Sequence, residues 1–265
     1  MLRKFMRRAG LGMTVLTLAV GACAQPNESA AKSSLAPTGT LRAAINYGNA
    51  ALAHRDASGA LSGVSVDIAR ELGRRLRVPV TLVPYDAAGK VTAAASNAWD
   101  VAFLALDPKR AQSITFSPAY VLIDGTYAVR KSSPITALDQ VDRPGIRVAV
   151  SRGSAYDLFL TRTLKHAELV RGSSTAEAVV LFRDQRLDVL AGVKNALDQL
   201  LAKDRSMRML PQPFMAINQA MGTPSGRKPA AAYLETFIKG IKTDGFLAAT
   251  LKNNGLSASA IAPSA

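Results

Sequence analysis

Arg110 carries the recognition chemistry most readily read from this sequence. A guanidinium is a permanent cation, and its planar fork of donors matches a carboxylate. It follows residues 99–106, where Val101, Phe103, Leu104 and Leu106 form the short apolar run expected of a strand covered on both faces. Asp107-Pro108 closes that run. An Asp side chain accepts a free N–H of a first helical turn, and Pro suits a position that needs no N–H. The pattern therefore predicts Arg110 in the first turn of a helix at the carboxyl end of a strand, where open α/β sheets bind their ligands. Phe116-Ser117-Pro118-Ala119-Tyr120 then reads as a turn approaching Gly125. A solvated surface arginine is the alternative that position alone leaves open.

Two further stretches offer polar groups at strand ends. Residues 146–150 read as a buried strand running into Ser151-Arg152-Gly153-Ser154, followed by a helix over 155–164. Free N–H groups and the dipole at a helix start attract anions, although many such turns bind nothing. Asn46-Tyr47-Gly48-Asn49 forms a polar loop after a first strand over 40–45.

The elements that must position these groups fall into two sets. In the first, Val64, Ile68, Leu72 and Leu76 are spaced for a helix with Arg70, Arg74 and Arg75 outside. A β-branched strand over 78–83 and a short Ala-rich helix over 90–97 complete a β-α-β-α-β-α pattern, which argues a parallel doubly wound sheet. The second set alternates strands over 146–150, 168–170 and 187–193 with helices over 155–164, 174–182 and 195–202. Extended segments around Gly125 and Asn218 connect the sets, and helices over 230–244 and 246–253 return to the first. The expected fold class is α/β with two lobes, each a sheet flanked by helices, two hinge strands and a cleft faced by Arg110 and Ser154. The boundaries are 39–125 with 219–256 for lobe 1, and 126–218 for lobe 2, followed by a disordered tail over 257–265.

The chain of 265 residues is 48% hydrophobic and 20% charged, a globular composition with enough apolar residues for real cores. Its formal charge is +14. Setting aside Arg3, Lys4, Arg7 and Arg8 takes four from 33 basic residues and leaves 29 against 19 acidic, or +10. These are scattered over helix faces, with no zinc-finger spacing or RNP-like aromatic run, so nucleic acid is not an expected partner.

Residues 1–8 are basic and 9–20 apolar, the pattern of a secretory signal over 1–22. Ala22-Cys23-Ala24 fits small-x-small cleavage, while Val20-Gly21-Ala22-Cys23 resembles a bacterial lipobox that would lipidate Cys23. Cys23 is the one cysteine and has no partner for an intramolecular disulfide. Residues 23–38 read as a flexible polar tether with no apolar period. The mature chain is expected in the periplasm or cell envelope.

In order and spacing the motifs resemble bacterial extracellular solute-binding proteins of family 3, the polar amino-acid-binding group of ABC importers. The resemblance runs from about Gly39 to Leu256. It is carried by Gly39-Thr40-Leu41-Arg42, by Gly59-Ala60-Leu61-Ser62-Gly63-Val64-Ser65-Val66-Asp67-Ile68-Ala69, and by Trp99-Asp100-Val101. Arg110 with Phe116-Ser117-Pro118-Ala119-Tyr120, Val148-Ala149-Val150 with Gly153-Ser154, and Leu187-Asp188-Val189 complete it. It implies a type II periplasmic-binding-protein fold that closes on one small solute. It also implies that Arg110, Gly153 and Ser154 take the solute's carboxylate, with Asn46, Tyr47, Asn49 and Ala105 around it. Partners would be the membrane subunits of an ABC permease. The chain would act as a monomer without cofactor, metal or catalysis.

The departures matter. Phe103 and Ala105 stand where relatives carry small hydroxyl or Gly residues, and Asn49 falls near a usual aromatic. The carboxylate that receives an α-ammonium is replaced by Val193, with Lys194 next as a candidate second cation. The solute is therefore expected to be anionic, and not necessarily a standard α-amino acid. A dehydratase-like enzyme on the same fold and a sensory ligand-binding protein are the competing functions. Against an enzyme, His54 and His166 have no partner at catalytic spacing, and Asp107 and Asp124 read as cap and hinge residues.

Overall fold

The computed structural model describes residues 28–94 and 97–263. The expected signal segment and Cys23 lie outside the described residues. After α1 (Glu28–Leu35), the first set runs β1 (Leu41–Asn46), a hairpin of β2 (His54–Arg55) and β3 (Leu61–Ser62), α2 (Val64–Leu76), β4 (Val80–Tyr85), α3 (Ala88–Ala93) and β5 (Val101–Ala105). The long strand β6 (Ile114–Arg130) leads to β7 (Arg147–Ser151), α4 (Ala155–Thr163), β8 (Glu168–Gly172), α5 (Thr175–Asp184), β9 (Val189–Val193), α6 (Lys194–Lys203) and β10 (Met207–Met209). Strand β11 (Met215–Pro224) returns, followed by α7 (Lys228–Thr243) and α8 (Phe246–Asn253).

Hydrogen bonds join the strands in the order β4-β1-β5-β11-β6-β9-β7-β8, with β10 also beside β6. Strands β4-β1-β5 at one end and β9-β7-β8 at the other run parallel, and the central pairings are antiparallel. The parallel strands read as continuous apolar runs because helices cover them: β5 and β9 are buried at every position. Strand β6 changes neighbours at Gly125, which lies opposite Met215 of β11 and Val193 of β9. A Cβ there would meet Met215 Cγ at 2.7 Å, so a side chain at this position would have to displace that of Met215.

The apolar spacing of α2 places Val64, Ile68, Leu72 and Leu76 in the core. Asp100, fully buried before β5, accepts from Arg42 Nη2 and Arg227 Nη1, both at 2.8 Å. Arg227 also donates to Ser34 O, so one carboxylate ties β1, β5 and the start of α7 to α1.

Four expectations differ from the structure. Residues 28–35, expected within a flexible tether, form α1, because Ala31 and Leu35 stand one turn apart and bury completely, with α1 lying along α7. Arg110 begins a single 3₁₀ turn over Arg110–Gln112, not an α-helix. Asp107 accepts from Lys109 N at 2.8 Å just ahead of this turn, the turn itself has no side-chain cap, and the chain soon enters β6. The Phe116–Tyr120 stretch is part of β6. Pro118 is accommodated where the β11 register shifts between Ala220 and Gly222, and Ser117 Oγ accepts the Met221 N–H at 3.1 Å. The tail, expected to be disordered, is strapped down in part: Ala262 is buried and its N–H donates to Tyr120 O at 3.0 Å.

Candidate binding site between the two halves

The carboxyl ends of both parallel strand sets face a cavity of about 590 Å³. Of the residues singled out from the sequence, Asn46, Tyr47, Asn49, Ala105, Arg110 and Ser154 all line it. They come from the end of β1 and the loop after it, the end of β5, the turn after it, and the N-cap of α4. Gly153 adjoins this wall without lining it. Lys194 stands apart from it, exposed and ion-paired with Asp198 at 2.9 Å.

Arg110 is almost wholly buried, at 4% exposure. Its Nη1 donates to Ala105 O and its Nη2 to Gly153 O, both at 2.9 Å. Its Nε has no partner. Burial draws the guanidinium down to about 10 while Asp107 acts in the opposite sense, so it stays cationic at neutral pH. The fork is fixed by backbone carbonyls from both halves and still has N–H groups to offer.

Other contacts close the halves together. Arg162 on α4 pairs with the buried Asp107 at 2.9 Å. Thr175 Oγ1, at the start of α5, donates to Gly48 O at 3.0 Å. Gly153 has φ +68°, and a Cβ on it would lie 2.8 Å from Gly89 Cα of the opposite half. Its N–H, expected to be available to an anion, is donated to Asp157 Oδ2 at 2.7 Å. Ser154 Oγ caps α4 by accepting from Asp157 N at 3.0 Å.

Sequence reasoning missed Ser151, Tyr156, Thr175, Lys203 and Gln219 on the cavity wall. Ser151 and Gln219 had a usable signal, since they sit at a strand end and beside the second extended crossing. Tyr156 and Lys203 had none, because which face of α4 and α6 meets the cavity follows from tertiary packing. Burial pushes the Tyr156 phenol up, against hydrogen bonding to Ser154, Thr175 and Ser151, so it is a neutral hydroxyl. Among the described residues no His, Cys, Asp and Glu cluster could hold a metal ion.

The family model for bacterial extracellular solute-binding proteins, family 3, matches residues 41–255. A curated relative, cyclohexadienyl dehydratase of Pseudomonas aeruginosa, is 26% identical over 172 residues, which is 63% of this chain and 63% of that protein. The matched region thus spans under two thirds of the relative's length. Among solved structures, the solute receptor for L-cysteine of Neisseria gonorrhoeae superposes with a TM-score of 0.78 at 21% identity, covering 88% of this chain and 100% of that one. The ancestral amino acid-binding protein AncCDT-1, a precursor of cyclohexadienyl dehydratase, gives 0.71 at 21% identity, covering 84% and 98%. These neighbours share the two-lobed type II periplasmic-binding-protein fold.

Proposed function

The chain belongs to the bacterial extracellular solute-binding proteins, family 3, and from that premise we propose that it captures a small carboxylate-bearing solute between its lobes and delivers it to an ABC permease. The lobes are residues 39–125 with 219–256, and 126–218, turning about Gly125 and the segment before Gln219. The observation that carries this reading is the buried, cationic Arg110 on the wall of an interlobe cavity. Its fork suits a carboxylate, and its position between the halves lets a bound anion favour closure. Asn46, Asn49 and Ser154 supply further hydrogen bonds. The solute-binding form is exported, with Cys23 the site of a lipid anchor at the cell envelope.

The relation to a dehydratase favours a second reading, an enzyme on the same fold. Elimination needs a positioned acid or base. Among the described wall residues the one carboxylate is Asp86, ion-paired with Lys90 at 2.8 Å, and neither His54 nor His166 lines the cavity. The wall is therefore better suited to holding a solute than to transforming one. Thermal-shift screening against a metabolite library, with chromatography of each hit after incubation, tests both readings. A stabilising carboxylate recovered unchanged supports capture; its conversion supports the enzyme.

A further inference from the structure

The hydrogen-bonding pattern of the cavity is lopsided. Its acceptors are largely engaged by the protein itself. Arg110 takes the carbonyl of Ala105 and, beside the wall, that of Gly153, and Thr175 takes that of Gly48. Asn46 Oδ1 accepts from Gly48 N at 3.2 Å and Asn49 Oδ1 from Ala51 N at 3.3 Å, which leaves their Nδ2 amides to donate. Ser174 accepts from Glu177 N, which leaves its hydroxyl proton, while Ser154 accepts from Asp157 N and its hydroxyl meets the Tyr156 phenol. Asp86 is held by Lys90. Gln219 and Tyr156 can serve either sign but carry no charge.

A second observation concerns the body of the solute. Val179 of α5, Leu190 and Val193 of β9, Leu197 and Leu200 of α6, and Phe103 of β5 all line the cavity. Such a wall rewards apolar area and offers little to a polar side chain.

We infer that the solute is an apolar carboxylic acid without an α-ammonium group, a plain, keto or hydroxy acid with an aliphatic or aryl body. The inference rests on the solute-binding reading above. An ammonium in this cavity would lie near the Arg110 cation with no free carboxylate to receive it, and a buried charge without a partner is costly. The carboxylate, by contrast, meets amide, hydroxyl and guanidinium donors together. Lys203, also on the wall, makes a dicarboxylate the competitor to separate.

Titration calorimetry on the full chain, after exhaustive dialysis, compares matched acids: 3-phenylpropanoate with L-phenylalanine, 4-methylpentanoate with L-leucine, and adipate. At least one apolar acid should bind tenfold or more tighter than its amino-acid twin and than adipate. Equal or tighter binding of the amino acids overturns the missing ammonium and leaves the solute-binding reading intact. Tighter binding of adipate overturns the apolar body. Silence from all five overturns the inference, and the solute-binding reading falls with it only if the metabolite library also gives no shift.

Discussion

Arg110 Nη2 donates to the carbonyl oxygen of Gly153 at 2.9 Å, joining a side chain of one half to the backbone of the other at the wall of the cavity. The same guanidinium that would hold a carboxylate thereby also holds the cleft shut. Replacing Arg110 by Ala or Lys should weaken a carboxylate solute by about 2–5 kcal/mol, the range for losing one partner of a buried charged contact. Lys retains the charge but not the fork, so it should recover only a minor part. Calorimetry with the solute identified by screening checks this, and unchanged affinity in both variants would remove Arg110 from the site.

Gly153 faces Gly89 across the cleft, where a Cβ would stand 2.8 Å from its Cα. Gly153→Ala should therefore prevent full closure. Gly145→Ala is the control, because Gly145 has φ +85° with nothing near an added Cβ. Both variants carry the left-handed backbone penalty of about 1–2 kcal/mol, and both should lower the melting temperature similarly. Only Gly153→Ala should lower solute affinity, by about tenfold or more, with a larger radius of gyration in small-angle scattering of the solute-saturated protein. Equal affinity in the two variants would show that closure does not need this contact.

Much of this arrangement was legible in the sequence because two periodicities carried it. Apolar runs at β5, β7 and β9 alternate with helical spacing at α2 and α7, and strand-end chemistry follows from that alternation. Asn46 ends β1, and Arg110 and Ser154 follow β5 and β7 within a few residues, so strand-end reasoning alone places all three at the cavity wall. Other features obey no such local rule. The α1 helix depends on two buried residues, Ala31 and Leu35, within an otherwise polar stretch, and only α7 beside it makes that pair sufficient. Pro118 argues locally for a turn, yet the Ser117 hydroxyl and a shift of register keep it in a strand. Lys194 and Lys203 open and close the same helix, and the packing of α6, not the sequence, decides which of them reaches the cavity.

Arg162 pairs with Asp107 across the halves, with Arg162 half exposed and Asp107 buried. Exposed pairs contribute about 0–1 kcal/mol. Arg162→Ala should accordingly raise the solute dissociation rate about two- to fivefold, since it removes a contact made only when the halves meet. The melting temperature of the protein saturated with solute should fall more than that without it. Stopped-flow displacement measures the rate, and a loss confined to the association rate would contradict a closing role.

Asp100 sets the acid limit of the fold. Burial raises its carboxyl, but hydrogen bonds from Arg42 and Arg227 outweigh burial and hold it below the ordinary value. A carboxylate depressed in the folded state contributes stability that is complete above the unfolded value of about 3.9 and is lost as pH falls through the folded one. Glu71, drawn down to about 2 chiefly by Arg74, acts in the same sense. Unfolding midpoints in urea should therefore stay level through neutral pH and drop steeply below about pH 4. Asp100→Ala leaves the two arginines without their buried partner and should cost about 3–5 kcal/mol. Asp100→Asn keeps the volume and removes the charge, so its midpoint should start lower at pH 7 and fall less on acidification. A wild-type acid slope that survives unchanged in Asp100→Asn would place the acid sensitivity elsewhere.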